Sequence, residues 1–351
     1  MQLKDIRQAD VKGKKVLVRV DFNVELDLNG DVTEEYKLTV AKQTIDYLAG
    51  HGAAKIALVT HFGRPKGKDD KQFSVGFIVD DAERALGRHV SFVDDCIGPK
   101  VEDALSGLMS GSVLILENTR FYSEEEGNDA KFAEEMARPF DMFVNEAFSA
   151  CHRAHASVVG VTQYLPSFAG FRVLEEVEHL EKVGKNPEHP AVAVVGGAKA
   201  ETKIPLIKAL EKTYDAILVG GKVANEILDA GTVFPNTVFL PGDFRGEERF
   251  DIGPATTARY VEIIGEAKTI VWNGPMGKFE DETYSQGTNA VVHAILENKE
   301  ALRVAGGGES LVLLEQAGAM DRIGFVSTGG GAMLEFLSGE PMPGLEALRV
   351  Q

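Results

Sequence analysis

Several residue types are scarce in this chain of 351 residues, and each scarcity excludes a class of protein. Two cysteines, Cys96 and Cys151, are too few for a disulfide framework, so we interpret them as buried side chains in a reducing compartment. No apolar run approaches the roughly 20 residues that span a bilayer, so we expect no membrane partner. Lys and Arg number 37 against 54 Asp and Glu, which gives a net charge of −17. This charge argues against nucleic acid as a partner, but small anions can still bind in a local positive cleft.

Apolar residues are plentiful, at 44% of the chain against 26% charged residues. This balance is typical of globular proteins and excludes a disordered chain. Because a single core stops growing at about 250–300 residues, the length predicts two domains. The first residues, MQLKD, are charged and lack the apolar segment of a signal peptide, so we expect a cytoplasmic protein.

Short apolar runs alternate with helical patterns along the chain. The runs are rich in Val, Ile and Leu with little alternation, as in strands buried on both faces of a parallel sheet. We predict strands at residues 15–20, 55–60, 89–93, 112–116, 141–144, 191–195, 216–219, 237–240, 269–272, 302–305 and 324–327. Helices are predicted between them, among others at residues 38–49, 132–136, 204–212, 254–264 and 286–298. The alternation predicts an α/β fold with two doubly wound, Rossmann-like parallel sheets.

A break near the middle separates the two predicted sheets. Residues 173–183 place apolar side chains at helical spacing, and Pro187 and Pro190 then forbid a continuing helix. We therefore predict an N-terminal domain at residues 1–172, an interdomain helix and hinge at 173–190, and a C-terminal domain at 191–337.

In open parallel sheets, ligands bind at the carboxyl ends of the strands. The predicted strands of the first half are followed by cations and hydrogen-bonding groups: Asp21, Asn23, His61, Arg64, Arg120 and Arg153. In an acidic chain, this clustering indicates a site for an anionic ligand.

The strands of the second half are followed by glycine turns instead, at residues 196–197, 220–221, 274–277, 306–308 and 329–331. One such turn need only shape the chain, but five at one sheet edge predict backbone N–H groups that bind a nucleotide or polyphosphate. Lys199 and Lys203 lie four residues apart beside the first turn, where they can neutralise a phosphoryl group; elsewhere they would be ordinary solvated lysines. The two edges together predict phosphoryl transfer, with hinge closure excluding water.

An ordered set of motifs sharpens this interpretation. They are RVDFNV (19–24), THFGRPKG (60–67), LENTRF (116–121), HRAHAS (152–157), GGAKAETKI (196–204), DIGP (251–254), VWNGPMGKFE (271–280), GGGES (306–310) and VSTGGGAMLEFL (326–337). In these motifs and their order, the chain resembles the phosphoglycerate kinase family over nearly its whole length.

The resemblance implies reversible transfer of the acyl phosphate of 1,3-bisphosphoglycerate to MgADP, giving 3-phosphoglycerate and ATP, in glycolysis and gluconeogenesis, by a monomer. At matching positions, it implies that the acceptor is bound by Asp21, Asn23, Lys37, His61, Phe62, Gly63, Arg64, Arg120 and Arg153. It implies that the nucleotide is bound by Lys199, Lys203, Glu280, Gly307, Gly308, Glu309 and Ser310, with Glu309 also serving Mg²⁺. Catalytic roles would fall to Lys37, Arg64, Lys199, Lys203, Gly329 and Gly330. Residues 338–351 would pack back on the N-terminal domain.

The chain departs from the family pattern at a few positions. Lys37 stands where the family has an arginine, and the two are not interchangeable at a bidentate site. Glu309 replaces the aspartate on the metal side, while Glu146 and Glu25 are more peripheral replacements. Residues 229–250 form a shorter connection than usual, which we expect to be a compact loop on the adenosine side of the nucleotide site.

Other functions remain open at this point. A kinase of another small acid would share the fold, although the pattern of Asp21, Asn23 and arginines argues against it. A non-catalytic or weakened metabolite- or nucleotide-binding homologue would explain Lys37 and Glu309. A dehydrogenase is disfavoured because no G-x-G-x-x-G opens the first helix.

Overall fold

Two six-stranded parallel sheets organise the chain. The computed structural model describes residues 1–27, 30–109 and 112–350. The chain divides into two units: unit 1 comprises Met1–Glu176 and Met342–Gln351, and unit 2 comprises Val177–Pro341. The domain ranges predicted from the sequence stay predictions, and their positions 28, 29, 110, 111 and 351 lie outside the described residues. The predicted α/β fold with doubly wound parallel sheets is confirmed.

The sheet of unit 1 has the strand order β3-β4-β2-β1-β5-β6, and every neighbouring pair is parallel. Its strands are β1 (Lys15–Arg19), β2 (Lys55–Val59), β3 (Val90–Val93), β4 (Val113–Leu116), β5 (Met142–Asn145) and β6 (Ser167–Ala169). The first five match the predicted strands to within one residue at each end. The edge strand β6 was not predicted, because a three-residue segment that begins with serine carries little apolar signal.

The helices of unit 1 are α1 (Tyr36–Thr39), α2 (Lys42–Gly50), α3 (Val79–Leu86), α4 (Pro99–Gly107), α5 (Ser123–Glu126) and α6 (Ala130–Ala137), followed by α7 (Phe171–Lys185), which continues into unit 2. The single helix predicted at residues 38–49 is therefore wrong. Two helices replace it, and Val40 and Ala41 between them keep right-handed helical backbone angles.

Both faces of the first sheet are covered by apolar side chains. Val16, Val18 and Ile56 lie in one buried cluster, whereas Leu17 and Ala57, which alternate with them, lie in another. Burial on both faces explains why these strands show no polar–apolar alternation.

The sheet of unit 2 has the strand order β14-β13-β12-β7-β8-β9, again with parallel pairs. Its strands are β7 (Ala191–Val195), β8 (Ala216–Val219), β9 (Val238–Phe239), β12 (Thr269–Asn273), β13 (Leu302–Gly306) and β14 (Phe325–Ser327), while β10 (Phe244–Arg245) and β11 (Asp251–Ile252) form a separate antiparallel hairpin. The helices are α8 (Ala200–Leu210), α9 (Gly221–Asp229), α10 (Pro254–Glu266), α11 (Gln286–Glu297), α12 (Gly308–Gln316) and α13 (Gly330–Leu337). The connection at residues 229–250 contains β9, which falls within the strand predicted at residues 237–240, and also β10, so it is more than the expected compact loop.

The start of α7 is capped by side chains from elsewhere in unit 1. The Phe171 N–H donates to Thr44 Oγ1 at 2.9 Å, and the Arg172 N–H donates to Glu146 Oε1 at 3.1 Å. Thr44 Oγ1 donates in turn to Glu146 Oε2 at 2.9 Å. Glu146 is only 4% exposed, and burial raises its pKa to about 8 despite the bonds from Thr44 and Arg172. Helix α7 ends at Lys185, before Pro187 and Pro190, as predicted.

The C-terminal residues return to unit 1 after a last short helix, α14 (Pro343–Glu346). The Lys4 N–H donates to the Leu348 carbonyl at 2.9 Å, and the Gly344 N–H donates to the Cys151 carbonyl at 2.9 Å. Across the described residues, no helix is both long and apolar enough to cross a membrane.

Candidate active site

The carboxyl ends of the parallel strands in unit 1 meet at one sheet edge, and polar turns follow four of them. Asp21 and Asn23 follow β1, and the turn from His61 to Arg64 follows β2. Arg120 lies in the turn after β4, and Arg153 follows β5. The sheet order places β1 between β2 and β5, so the turns after these three strands are neighbours.

Two asparagines hold the turn that carries His61 and Arg64. Asn23 Oδ1 accepts from the Gly63 N–H at 2.8 Å. The fully buried Asn118 accepts from the N–H groups of Phe62 and Arg120, at 3.1 and 3.0 Å, and its amide nitrogen donates to the Phe62 carbonyl at 2.7 Å. The backbone groups of Phe62 and Gly63, rather than their side chains, therefore make the bonds that hold this turn. Asn118 was not among the predicted site residues, although it lies inside the LENTRF motif.

An open cavity of 830 Å³ lies in unit 1. Its wall includes three arginines and a histidine: Arg64, Arg120, Arg153 and His155. Burial, together with the nearby Arg153, lowers the pKa of Arg120 to about 10, although Glu126 acts in the opposite direction. The Arg120 Nε atom lies 3.0 Å from Glu126 Oε1. Closely spaced cations of this kind favour an anionic ligand.

Asp21 and Lys37 lie close to the turn from His61 to Arg64. Asp21 Oδ2 accepts from Ser149 Oγ at 2.6 Å. Lys37 Nζ lies 2.8 Å from Glu34 Oε2 and donates to the Asn23 carbonyl at 3.0 Å. Burial alone would lower the pKa of Lys37, but Asp21 and Glu34 outweigh burial and raise it. The amine therefore stays charged at neutral pH.

In unit 2, the strand order reverses between β7 and β12, which is where an open α/β sheet has its ligand crevice. The glycine turns after these two strands are bonded together. The Gly196 N–H donates to the Asn273 carbonyl at 2.9 Å, and the Gly197 N–H donates to the Pro275 carbonyl at 2.8 Å. Gly274 has φ +96°, and a Cβ there would lie 2.5 Å from the Gly196 oxygen, so only glycine fits.

Two further turns meet at the starts of α12 and α13. A Cβ on Gly330 would lie 2.7 Å from Gly307 Cα, so the two backbones touch. Gly329 and Gly308 flank this contact. Two helix N-termini side by side present N–H groups and positive dipole ends, which suit a bound phosphate.

Lys203 and Glu309 add charge to this edge. Lys203 is 7% exposed, and its Nζ donates to the Asn273 carbonyl at 3.4 Å. Burial lowers the pKa of Lys203 to about 8, Glu309 opposes this shift, and Lys199 adds to it. Helix α8 begins at Ala200, earlier than predicted, so Lys203 lies in its first turn and Lys199 immediately precedes it. The Glu309 carboxylate lies against Gly197, where a Cβ would be 2.6 Å from Glu309 Oε2.

Ser310 is completely buried at the start of α12, and its hydroxyl oxygen accepts from the Gly274 N–H at 2.8 Å. The hydroxyl thus joins the turn after β13 to the turn after β12. Contact between Ser310 and a nucleotide stays a prediction.

A cavity of 710 Å³ opens beside these turns in unit 2. Gly197, Pro275, Glu280 and Glu309 line it on the side of the glycine turns. The lining also includes residues 247–250, which form the turn of the β10–β11 hairpin. Arg249 has φ +58° in this turn; its Nη1 lies 2.8 Å from Asp229 Oδ1, and its carbonyl accepts from Asn225 Nδ2 at 3.1 Å. The connection that sequence reasoning treated as a shortened loop therefore builds a wall of the cavity.

Comparisons with known proteins agree with these observations. A family model described as "Phosphoglycerate kinase" matches residues 6–234 and 242–340. The chain is similar to curated phosphoglycerate kinases of Moorella thermoacetica, at 39% identity with 98% of both chains covered, and of Gloeobacter violaceus, at 41% identity with 97% of both covered. Among solved structures, it is similar to phosphoglycerate kinase from Pyrococcus horikoshii OT3, at 30% identity and a TM-score of 0.88 over 99% of this chain and 98% of that one. The enzyme from Coxiella burnetii gives 32% identity and a TM-score of 0.83, with the same coverage.

Proposed function

Because the chain belongs to the phosphoglycerate kinase family, we propose that it catalyses the reversible transfer of the acyl phosphate of 1,3-bisphosphoglycerate to ADP. The products are 3-phosphoglycerate and ATP. The observation that carries this proposal is the meeting of the glycine turns in unit 2, with Lys203 and Glu309 beside them. Such an edge suits the phosphates of a nucleotide, and the arginines of unit 1 suit an acidic acceptor.

The binding site for 3-phosphoglycerate, which accepts the phosphoryl group when ATP is the donor, is assigned to unit 1. Arg64, Arg120 and Arg153 surround the 3-phosphate and the reacting carboxyl group, because guanidinium groups bind both anions through paired hydrogen bonds. Asn23 uses its Oδ1 atom on the Gly63 N–H, so its amide nitrogen is the atom that donates to the acceptor. Asp21 accepts from the glycerate hydroxyl, and Lys37 provides a charge near the carboxyl.

The nucleotide is assigned to unit 2. Lys203 and Lys199 neutralise its phosphates, and Glu280 on the cavity wall accepts from the ribose hydroxyls. The N–H groups at Gly307 and Gly308 bind along the phosphates. The Gly330 N–H stabilises charge on the phosphoryl group during transfer, whereas the Gly329 N–H donates to Ser327 Oγ at 3.2 Å and holds the turn in place.

Magnesium is implied by the family, and the residues fit a metal carried mainly by the nucleotide. Glu309 offers one carboxylate, and no group of three or more His, Cys, Asp or Glu among the described residues is arranged to hold a metal. Mg²⁺ accepts one carboxylate together with phosphates and water. Bound there, it would neutralise negative charge on the reacting phosphates. We expect Glu309→Gln to weaken the Mg²⁺ dependence of the reaction, and an unchanged dependence would remove Glu309 from this role.

The reaction needs no general base, because the nucleophile is an anion in both directions: the terminal phosphate of ADP, or the carboxylate of 3-phosphoglycerate when ATP is the donor. The histidines near the site are consistent with this. Burial and the neighbouring arginines lower the pKa of both His152 and His155 to about 4. His152 Nε2 accepts from Arg153 Nε at 3.0 Å, so His152 orients an arginine.

A coupled assay tests the proposal by following ADP production that depends on ATP, Mg²⁺ and 3-phosphoglycerate. Lys203→Ala and Arg153→Ala should abolish activity. Lys208→Ala and Arg138→Ala are matched controls at exposed positions of the same units, and they should leave it unchanged. Nucleotide binding by folded protein without any turnover would favour the non-catalytic alternative instead.

We also propose that the chain acts as a cytoplasmic monomer. Its two cysteines are free and buried, which suits a reducing compartment. A similar protein from Volvox carteri is described as chloroplastic, so relatives of this chain occur in more than one compartment. Light scattering of the purified protein would test the monomer.

A further inference from the structure

A chain of buried polar side chains lies behind His61 in unit 1. Arg19, the last residue of β1, is 1% exposed. Its Nε atom donates to Ser157 Oγ at 2.9 Å, and its Nη1 atom donates to the Val20 carbonyl. Its Nη2 atom lies 2.9 Å from His61 Nδ1. Sequence reasoning missed this arginine because it treated RVDFNV as a source of Asp21 and Asn23 only.

The other end of the chain is a buried carboxylate. Ser157 Oγ donates to Glu125 Oε1 at 2.5 Å, and the Ser157 N–H donates to Glu125 Oε2 at 2.9 Å. Glu125 and Ser157 are both completely buried. The Arg19 guanidinium and the Glu125 carboxylate are thus joined through one serine hydroxyl. Two buried charges linked in this way hold each other in place, because removing either would leave the other uncompensated.

The contact with Arg19 dictates the protonation of His61. Guanidinium groups only donate hydrogen bonds, so Nδ1 must be the acceptor and the proton of a neutral ring must sit on Nε2. Burial holds the pKa of His61 well below its ordinary value, and the charged or titratable groups facing the ring act in the same direction: Arg19, Arg120, Arg153 and His155. The Nε2 atom makes no hydrogen bond to any part of the chain that the structure describes.

We propose that Arg19 is a positioning residue that fixes His61 as the neutral Nε2–H tautomer, so that this N–H donates to the anionic acceptor. Ser157 and Glu125 hold Arg19 in the required place. The inference rests on the proposed function, in which 3-phosphoglycerate is that acceptor. A neutral donor keeps the same charge from pH 6 to pH 8, whereas an ordinary histidine would change its charge in this range.

Nuclear magnetic resonance tests the tautomer without any assay of activity. Two-bond ¹H–¹⁵N correlations of the protein with labelled histidine distinguish Nε2–H, Nδ1–H and the doubly protonated ring. His61→Gln identifies the His61 signals among the eight histidines. We expect Nε2–H alone from pH 6 to pH 8. A doubly protonated ring or an Nδ1–H tautomer would overturn the inference, whatever the activity of the enzyme.

Ser157→Ala tests whether the chain behind Arg19 does the positioning. The His61 N–H contacts the acceptor in both the ground and transition states, so its loss should raise the KM for 3-phosphoglycerate about tenfold and change kcat by less than about twofold. His61 should then show both tautomers, and Ser157→Thr should restore the wild-type signals and KM.

The matched control is Ser167→Ala, which removes another buried hydroxyl of unit 1, bonded to the Leu165 carbonyl at 2.7 Å. It should leave the tautomer and KM unchanged. If Ser157→Ala does not fold, the tautomer of wild-type His61 decides the inference by itself. A wild-type KM and tautomer in the folded variant would overturn the inference. Lack of turnover in the wild type with the expected tautomer would instead overturn the proposed function alone.

Discussion

The contact between Gly330 and Gly307 leads to a sharp prediction about the nucleotide site. In Gly330→Ala, the new Cβ would lie 2.7 Å from Gly307 Cα and 3.0 Å from Gly307 N. Both atoms belong to the backbone, so no flexible side chain can move aside. The substitution removes no N–H group from the two turns, and it therefore tests their spacing rather than their chemistry.

The expected effect follows from these distances. Carbon atoms in contact lie about 3.5–4.0 Å apart, so one turn must move by about 1 Å. Overpacking of this size costs about 1–3 kcal/mol of folding free energy. A displacement of about 1 Å at groups that align the reacting phosphate lowers the rate by about a hundredfold. We therefore expect kcat/KM to fall about a hundredfold in a variant that still folds cooperatively.

The measurement is kcat/KM for MgATP in the coupled assay, together with urea unfolding. Gly265→Ala is the matched control, because a Cβ at Gly265 in helix α10 meets nothing within 4 Å. The control should keep full activity and gain about 0.5–1 kcal/mol of stability. Wild-type kcat/KM in folded Gly330→Ala would refute the assignment of this contact to the phosphate site.

Three further predictions concern titration and charge. Affinity for MgADP, measured by calorimetry, should fall by up to about tenfold per pH unit above pH 8, because Lys203 loses its proton there. Lys203→Met should flatten this dependence, and an equally steep fall in the variant would contradict the role of Lys203. Lys37→Arg should raise kcat, because a guanidinium group can hold the acceptor carboxylate through two bonds; an unchanged or lower kcat would count against that role. Because the pKa of Glu146 is raised, the stability that its protonated carboxyl group confers is present below about pH 4.5 and lost as the pH rises to about 8. The free energy of urea unfolding should therefore depend less on pH in Glu146→Gln than in the wild type across this range.

Much of the fold could be predicted from apolar runs, because buried parallel strands have a distinctive composition. The strand Ala191–Val195 was predicted to the residue, since all five side chains are apolar and buried. The hairpin of Phe244–Arg245 and Asp251–Ile252 was not, because two-residue strands with charged members carry no periodic pattern. A side chain from helix α9 helps to hold its turn instead, through the bond from Asn225 Nδ2 to the Arg249 carbonyl.

The candidate site was predictable where it uses a conspicuous residue type and less so where it depends on supporting side chains. The arginines of unit 1 and the glycine turns of unit 2 stand out because each set follows the carboxyl ends of strands, which meet at one edge of their own sheet. Asn118 and Arg19 did not stand out, because a polar residue in the sequence does not reveal which side chains it will contact. The one available signal for Arg19 was a charged residue at the carboxyl end of a strand whose middle residues are apolar.

The burial of both cysteines has a practical consequence for measuring motion. Cys96 and Cys151 are 1% and 0% exposed, and burial raises the pKa of the Cys151 thiol to about 12 and that of Cys96 well above its ordinary value. Neither thiol is therefore a reactive thiolate at neutral pH. Dyes can be attached selectively to cysteines introduced at the exposed positions Lys131 in unit 1 and Lys208 in unit 2. Energy transfer between two such dyes would follow the distance between the units as substrates bind, without first removing a native cysteine.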